Sequence, residues 1–336
     1  MSPASPAVPA LLALDIGARQ HAFAFEHAAQ HLRGEVDNTP AALRTFLTAH
    51  LRPERPLRVL VEATGVYYLD VALIAAELGA EVMVVNPKAA HNFAKALQRR
   101  NKTDALDAAM LLEFLKRMPW VPWAPPSRAR LELRHYGRYL TQLTQDGTAA
   151  RNRLHALGST QASPAALRAD LKRAIAGLDR RIERLRREAV ALIQRDPELN
   201  AAFKALISMI GIAQTSAVSL LAELAVLPRT LSSRACVCHA GLDVRIHQSG
   251  TSVLKAPRIS RHGNKYLRQA LFHPALTAGQ HDPHARAFRQ RLLQRGKKKM
   301  QATVAIMRKM LTAAWALVRK PADYDGRKLY LCPQEA

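Results

Sequence analysis

The sequence predicts an α/β domain followed by helical regions, so the chain belongs to the combined α/β plus all-α class. Short apolar runs alternate with amphipathic segments up to residue 117, and a Pro-rich segment (residues 118–127) then interrupts the pattern. Beyond it, the spacing of apolar residues is typical of helices. With 336 residues, of which 49% are hydrophobic, the chain is long enough for two or three domains with cores of their own.

Four segments of the first domain are predicted as strands, because each is a short apolar run or alternates apolar with polar residues. They are Leu11–Ile16, His21–Phe25, Arg58–Glu62 and Glu81–Val85. The second should pair with the first as a hairpin. Since strands alternate with helices along the chain, we expect a sheet that is at least partly parallel.

Three segments between and after these strands are predicted as helices, namely Thr39–His50, Tyr68–Leu78 and Thr103–Arg117. A threonine begins the first and the third, where its side-chain oxygen can accept a hydrogen bond from a free helix amide. Pro40 suits the first helical position, and Gly79 is typical of the residue that ends a helix.

The rest of the chain is predicted to be helical. Residues 128–195 have the apolar spacing of two long amphipathic helices, with a turn over residues 158–164, and this pattern favours a coiled coil. We therefore expect an α/β domain over residues 1–125, a helical coiled-coil arm over 126–197, a mainly helical domain over 198–320 and a tail over 321–336.

The charge of the chain indicates a polyanionic partner. The formal net charge is +24, and it is concentrated in two blocks: residues 128–195 carry 15 basic and 6 acidic residues, and residues 255–309 carry 14 and 1. Such a balance argues against a neutral metabolic enzyme and favours nucleic acid. Solvated helix faces are a second interpretation of the two blocks.

The composition also bears on the compartment. Three cysteines exclude a disulfide framework and fit a reducing cytosol. No run of about 18 apolar residues predicts a membrane span, and the N-terminal sequence has no basic segment before its apolar run, as a signal peptide would. We expect a cytoplasmic protein of a bacterium, associated with the nucleoid and without a membrane partner.

Four acidic residues of the first domain are candidates for a metal site. Asp15 and Glu62 lie within or at the end of predicted core strands, where an unpaired carboxylate is costly. Asp104 and Asp107 share one face of a predicted helix. Clustered carboxylates repel unless a cation neutralises them, and such oxygen ligands select Mg²⁺ or Mn²⁺. Alternatively, Asp15 caps a turn and the helix dipole stabilises Asp104 and Asp107.

The segment from Val61 to Leu115 resembles one family, the DEDD-type insertion-sequence transposases, which have an N-terminal RuvC-like domain. The matching pieces are LDIG at 14–17, EATG at 62–65 followed by Tyr67, Asn86-Pro87, and KTDALDA at 102–108. The resemblance extends over about residues 11–320. It implies a ribonuclease H (RuvC-like) fold with a mixed sheet, and a metal-binding tetrad formed by the four acids Asp15, Glu62, Asp104 and Asp107.

Ser249 precedes Gly250 in a polar segment, a setting that exposes a hydroxyl but more commonly marks a simple turn. The family carries an essential serine in a Ser-Gly loop ahead of an Arg-Ile-Ser/Thr-x-x-Gly-Asn/Asp segment, which RISRHGN at 258–264 matches. The resemblance thus implies that Ser249 is the nucleophile. Ser252 and Ser260 remain alternatives, because the residues that surround Ser249 depart from the family pattern of a small residue before the serine and Gly-Gly-Lys after it.

Basic residues near the tetrad, after the serine and in the second basic block are candidate nucleic-acid contacts. They are Lys102, Lys255, Arg258, Arg261, Lys265, Arg268, Lys297, Lys298 and Lys299. Residues 205–224 resemble a helix-hairpin-helix with its turn at Gly211, which would point backbone amides at a phosphate. A plain core hairpin is a second interpretation, because Ile210 and Ala213 replace residues of the usual family form.

The resemblance implies a transposase that cuts and rejoins DNA through a serine–DNA covalent intermediate. It also implies a bridge RNA that pairs with donor and target DNA, and homodimers that join into a homotetramer in which the acids of one subunit act with the serine of another. Two alternatives stay open. One is a RuvC-like structure-specific endonuclease that uses the same acids with water, and the other is a non-catalytic DNA-binding protein.

Overall fold

A computed structural model describes residues 8–97, 103–249 and 253–330, with only the backbone for residues 246–249 and 253–256. The chain divides into two compact units, Met1–Pro125 and Pro126–Ala336. Their boundary falls inside the Pro-rich segment. The predicted arm and the predicted helical domain both lie in the second unit, and a separation between them after residue 197 stays a prediction.

The first unit combines one sheet with helices. In chain order, its described elements are β1 (Ala10–Ile16), β2 (Gln20–His27), β3 (Gln30–Asp37), α1 (Pro40–His50), β4 (Leu57–Glu62), α2 (Tyr68–Glu77), β5 (Glu81–Val85), α3 (Pro87–Ala96) and α4 (Asp104–Arg117). The strand order is β3-β2-β1-β4-β5. Strand β2 is antiparallel to β1 and β3, whereas β4 is parallel to β1 and β5. This mixed sheet is consistent with a ribonuclease H-like domain.

Helix α4 lies across one face of the sheet. Its buried residues Ala108 and Leu111 share an apolar core with Ala13 of β1 and Leu60 of β4. Because side chains alternate along a strand, the residues two positions after Ala13 and Leu60 point to this same face. Those residues are the candidate acids Asp15 and Glu62.

The opposite face of the sheet carries aromatic side chains. Phe23 of β2 packs against Phe46 of α1, with ring centroids 4.6 Å apart, and Phe25 contacts the ring of His50. His21, two residues before Phe23, is fully buried. Helix α1 begins as predicted, because the Thr39 side chain accepts a hydrogen bond from the amide of Ala42.

The second unit is mainly helical. Its described elements are α5 (Arg128–Gly158), α6 (Ala165–Arg195), α7 (Pro197–Ile207), α8 (Gln214–Leu224), α9 (Ser233–His239), β6 (Val244–Ser249), β7 (Val253–Ile259), α10 (Lys265–His281), α11 (Pro283–Gln294), α12 (Lys299–Arg319) and α13 (Gly326–Tyr330). The antiparallel pair β6–β7 adds a sheet to a region for which we predicted helices. Beyond residue 320, where the sequence indicated only a tail, α13 adds the buried side chain of Tyr330 to the core.

The two long helices of the predicted arm are present as α5 and α6, and they pack against each other. Leu133 and Leu140 of α5 join Ile193 of α6 in the main core of the unit, whereas a coiled-coil geometry stays a prediction. Each helix has 31 residues. Of the helices in the described part of the chain, none combines the length and the apolar character needed to cross a membrane.

Candidate active site

Two of the candidate acids stand where neighbouring parallel strands end. The register pairs Leu14 of β1 with Val61 of β4, so Asp15 and Glu62 each follow by one residue. Glu62 ends its strand and accepts a hydrogen bond of 3.1 Å from the hydroxyl of Thr64. The parallel pairing therefore brings two distant sequence positions to one edge of the sheet.

The other two acids lie in the first turn of α4. The Thr103 hydroxyl accepts a hydrogen bond from the amide of Leu106 and so begins the helix as predicted. Asp104 and Asp107 follow on one face of the helix. Because α4 packs on the face of the sheet to which Asp15 points, its first turn brings both carboxylates to Asp15.

Three of the four acids form one group. Asp15, Asp104 and Asp107 each offer a carboxylate oxygen, and these oxygens lie within 4.8 Å of one another. Glu62 does not belong to this group, although its charge acts on Asp15. Thus the structure brings together three of the predicted ligands and leaves the fourth nearby.

The electrostatics of the group favour a bound cation. Burial, and after it the negative charges of Asp107, Glu62 and Asp104, raise the pKa of Asp15 to about 6. Among the described residues, none of the four acids takes part in an ion pair. A half-buried group of carboxylates without a basic partner fits a hard divalent ion, which binds oxygen ligands and cancels their repulsion.

Ser249 lies at the far end of the β6–β7 hairpin. It is the last residue of β6, and its backbone pairs with Val253, the first residue of β7. Residues 250–252 between the strands, which include the alternative Ser252, lie outside the described residues. The hairpin therefore places Ser249 at the end opposite its root.

The other alternative, Ser260, lies at the root of the hairpin, directly after β7. Its hydroxyl donates a hydrogen bond of 2.5 Å to Oδ1 of Asp243, and its amide donates one to the backbone oxygen of the same residue. These bonds close the root of the hairpin. The hydroxyl of Ser260 is thereby engaged within the fold.

The predicted nucleic-acid contacts differ in exposure. Those with exposed side chains are Arg258, Arg261, Lys265, Lys297, Lys298 and Lys299. Arg268 is half-buried and donates a hydrogen bond of 2.8 Å to the backbone oxygen of Ala240, so it also supports the fold. Lys255 pairs through its backbone with His247 on β6, and Lys102 lies outside the described residues.

The turn of the predicted helix-hairpin-helix joins α7 to α8. Gly211 in this turn has a φ of +97°, and a Cβ atom there would approach the backbone oxygen of Pro274 on α10 to 2.5 Å. The glycine is thus required both by the backbone conformation and by close packing on α10. This contact favours the interpretation as a core hairpin.

One charged cluster of the second unit escaped the sequence analysis. Glu223 of α8 is 1% exposed and accepts hydrogen bonds from Arg138 and Asn264. The sequence around Glu223 is typical of an apolar helix. Its partners Arg138 and Asn264 lie 85 and 41 positions away along the chain. A lone acid within an apolar helix was the only signal in the sequence that could have indicated a buried ion pair.

Comparisons with known proteins bear on both units. A family model described as a transposase, the DEDD transposase of IS110, matches residues 12–157. A second, described as transposase of the IS116/IS110/IS902 family, matches residues 203–290. The first region contains the four acids and the second contains Ser249.

Two relatives match over most of the chain, and a third over a shorter part. Pilin gene-inverting proteins of Moraxella bovis and Moraxella lacunata are each 31% identical to it over 294 residues, which cover 85% of this chain and 87% of theirs. An uncharacterized 43.6 kDa protein of insertion element IS110 from Streptomyces coelicolor is 32% identical over 89 residues, 26% of this chain and 22% of that protein. The chain therefore belongs to the IS110 family of transposases and is a DNA transposase or recombinase.

Proposed function

We propose that this transposase cuts and rejoins DNA through a transient covalent link between Ser249 and a DNA phosphate, with Asp15, Glu62, Asp104 and Asp107 holding Mg²⁺ or Mn²⁺. One observation carries the proposal: carboxylate oxygens of Asp15, Asp104 and Asp107 lie within 4.8 Å of one another in a chain of a DEDD-type transposase family, which implies the use of a divalent metal.

The four acids would hold a divalent cation, which would bind and orient the reacting phosphate. Divalent ions at such a site neutralise the charge that develops on the phosphate oxygens and stabilise the leaving oxygen. Asp15 and Glu62 stand on a rigid sheet and Asp104 and Asp107 on a capped helix, so the ligands are placed before DNA binds.

The serine step exchanges one phosphodiester for another. The Ser249 hydroxyl loses its proton, its oxygen bonds to phosphorus, and the bond from phosphorus to one deoxyribose oxygen breaks. The deoxyribose oxygen takes up a proton and leaves as a free hydroxyl. Rejoining is the reverse attack by the hydroxyl of another DNA end, which releases the serine, so no water or external energy source is consumed.

Exposed basic residues beside the hairpin supply the phosphate contacts. Arg258 lies near the end of β7, the strand that returns from Ser249, Arg261 follows that strand, and Lys265 begins α10. An arginine fork binds two phosphate oxygens at once and fixes their orientation. The same residues would stabilise the negative charge that develops on the phosphate oxygens during the attack.

Such chemistry suits both insertion and inversion of DNA, because it conserves the number of phosphodiester bonds. Two relatives are named for inverting pilin genes. We extend the proposal to a bridge RNA that selects donor and target DNA by base pairing, held by the basic residues, in the cytoplasm at the nucleoid. We also propose homodimers that join into a homotetramer in which one subunit supplies the acids and another the serine.

Trapping of the intermediate tests the proposal. The protein, purified with its co-purifying RNA, is incubated with Mg²⁺ and DNA that carries the element ends and a target. Protease digestion and mass spectrometry of the DNA-linked peptide then identify the attacking residue. We expect a DNA adduct on Ser249 that the Ser249→Ala and Asp15→Asn variants lack, whereas Ser260→Ala and the exposed-acid control Asp70→Asn retain it.

Other outcomes identify the alternatives. Cleavage of DNA by Ser249→Ala but not by Asp15→Asn, without an adduct, would show a nuclease that uses water. Activities unaffected by both substitutions would show a DNA-binding protein. For the shared active site, equimolar Ser249→Ala and Asp15→Asn subunits should together recover strand exchange, and failure of the mixture to do so would contradict that arrangement.

A further inference from the structure

In the second unit, the carboxylate of Glu223 is almost completely buried, at 1% exposure. Arg138 of α5 reaches it from one side: its Nε donates to Oε1 at 2.6 Å and its Nη2 donates to Oε2 at 3.1 Å. The Nε of Arg134, one turn earlier on α5, lies 3.8 Å from Oε2. A buried carboxylate that lost these partners would be strongly destabilising, so the arrangement is closely constrained.

The close crossing of α5 and α8 places the two partners. Gly137 precedes Arg138, and a Cβ atom there would overlap with the Cβ of Ala222, the residue before Glu223. Since the helices touch at adjacent positions, Arg138 meets Glu223 with a bidentate geometry that a looser crossing would not allow. The arm helix α5 is thereby fixed to α8.

The third partner of Glu223 links it to the serine hairpin. The Nδ2 of Asn264 donates to Oε2 of Glu223 at 2.5 Å. The Oδ1 of the same side chain accepts from the amides of Tyr266 and Leu267 and so begins α10. Its backbone amide donates to the oxygen of His239 at the end of α9. Asn264 therefore holds the segment that follows β7 on three sides.

From Asn264, short contacts continue to the hairpin root. Gly263 packs so closely on the backbone of His239 that a side chain there would overlap with it. Arg261 donates its amide to the oxygen of Gly241 at 3.1 Å, and the bonds between Ser260 and Asp243 then close the base of β6 and β7. A displacement of Asn264 would thus shift the whole root, and with it the far end that carries Ser249.

The charge of Glu223 is maintained in this setting. Burial acts to raise its pKa, but the hydrogen bond from Arg138, with the nearby charges of Arg138 and Arg134, outweighs burial and holds the pKa below the usual 4.5. Glu223 stays ionised at neutral pH. It is then an acceptor for both Arg138 and Asn264, which neutral glutamine cannot match because one of its two terminal atoms is a donor.

We propose that Glu223 is a positioning residue for the serine chemistry, which fixes the root of the β6–β7 hairpin to the arm helix α5 through Asn264 and Arg138. It does not touch DNA. Its role is to set the orientation in which the hairpin presents Ser249 to the phosphate. This inference rests on the proposed serine function.

A charge-conserving exchange tests the proposal. Glu223→Gln removes one acceptor, and Asn264→Asp keeps the cap of α10 but sets a second carboxylate against Glu223. The double variant combines them, so that the amide of residue 223 can donate to the carboxylate of residue 264 and the total charge matches the wild type. The control is Glu198→Gln, because Glu198 also pairs with two arginines, Arg130 and Arg229, at 2.6 Å each, but is exposed and remote in sequence from the hairpin.

Three quantities are measured for each variant: the melting temperature, the affinity for DNA that carries the element ends, and the rate of adduct formation on Ser249 below the lowest melting temperature. We expect each single variant to lose about a hundredfold in adduct rate, as a misplacement of about 1 Å can cause, with DNA affinity unchanged. The double variant should recover most of the rate, and Glu198→Gln should match the wild type.

The proposal is overturned if Glu223→Gln forms the adduct at the wild-type rate. It is also overturned if the double variant melts like the wild type and binds DNA equally well but does not recover the rate, because the pair would then not set the position of the serine. A wild-type protein that forms no adduct at all contradicts the serine function instead. The wild-type reaction therefore separates failure of the proposed function from failure of this inference.

Discussion

Gly137 of α5 and Ala222 of α8 lie so close together that a methyl group on the glycine would overlap with the alanine side chain. Glycine in a helix normally costs stability relative to alanine. Here it allows the two helices to approach closely, and it directly precedes the arginine that pairs with Glu223. At this crossing, the close contact between the two helices offsets the low helix propensity of glycine.

Substitution of this glycine should destabilise the second unit. We expect Gly137→Ala to lower the free energy of unfolding by about 1–3 kcal/mol, because a methyl group forced into a packed contact displaces backbone or side chains. Chemical denaturation measures the change. As a control, Gly177→Ala on α6 should be neutral or stabilise by up to about 1 kcal/mol, since a Cβ there meets no atom within 4 Å. Equal effects of the two substitutions would contradict the close crossing.

Divalent ions that bind to the acid group should raise the melting temperature of the protein. Because the pKa of Asp15 is raised from 3.8 to about 6, ionisation of Asp15 destabilises the metal-free fold. That cost is fully present above about pH 6 and is relieved as the pH falls towards 3.8. At neutral pH, Asp15→Asn should therefore raise the melting temperature without metal and lose most of the increase that Mg²⁺ gives the wild type.

Thermal unfolding with and without Mg²⁺ measures both effects, and each kcal/mol corresponds to about 4 °C for a unit of the size of Met1–Pro125. Asp70→Asn is the matched control, because Asp70 is an exposed acid in the first turn of α2. An equal Mg²⁺ increment in the wild type and in Asp15→Asn would show that the ion binds elsewhere.

His21 should make the first unit sensitive to acid. Its imidazole is fully buried, and burial holds its pKa below the usual 6.5. The unfolded chain therefore takes up a proton more readily than the folded one, so stability is present above about pH 6.5 and falls as the pH drops below it. In the Asp15→Asn variant, which lacks the opposing titration of Asp15, urea unfolding at about pH 7.5 and 5.5 should show this loss. His21→Leu should reduce it, and an unchanged loss in that variant would assign it to other groups.

The basic residues near the hairpin should separate into two kinds. Arg258→Ala and Lys265→Ala remove exposed charges, so each should weaken DNA binding and reduce the slope of log affinity against log salt by about one. Arg268→Ala should instead lower the melting temperature, because Arg268 donates to the backbone oxygen of Ala240. Fluorescence anisotropy over a series of salt concentrations measures the slopes, and three equal slopes would contradict the division.

Much of the first unit could be predicted, because its central strands are apolar and its helices carry clear capping residues. Strands β1, β2, β4 and β5 and helices α1, α2 and α4 lie where these signals indicated. Strand β3 was missed because it is exposed along nearly its whole length and lacks a regular apolar alternation. Helix α3 was missed although Ala90, Phe93 and Ala94 lie at helical spacing and pack on the core of the first unit, because this apolar face is short and its other residues are exposed.

The sequence indicated which acids belong to the group but not how their side chains are arranged. Strand ends and helix spacing indicate which acids can meet, whereas the separation of Glu62 from the other three depends on side-chain placement. The network of Glu223 could not be predicted, because an ion pair between residues 85 positions apart leaves no local pattern. The hairpin was missed since its strands, such as Val244–Ser249, contain charged and polar residues that resemble a loop.

The two edges of the five-stranded sheet are closed in different ways. Strand β3 is exposed along nearly its whole length and carries charged side chains such as Arg33 and Glu35. Beyond β5, the amide of Trp123 in the Pro-rich segment donates to the oxygen of Val82. The charged side chains at the β3 edge and the Pro-rich segment at the β5 edge both hinder a strand of another chain from pairing with the sheet. The sheet of the first unit is thereby protected from growing into fibres through its edges, and contacts with other proteins are left to helices and side chains.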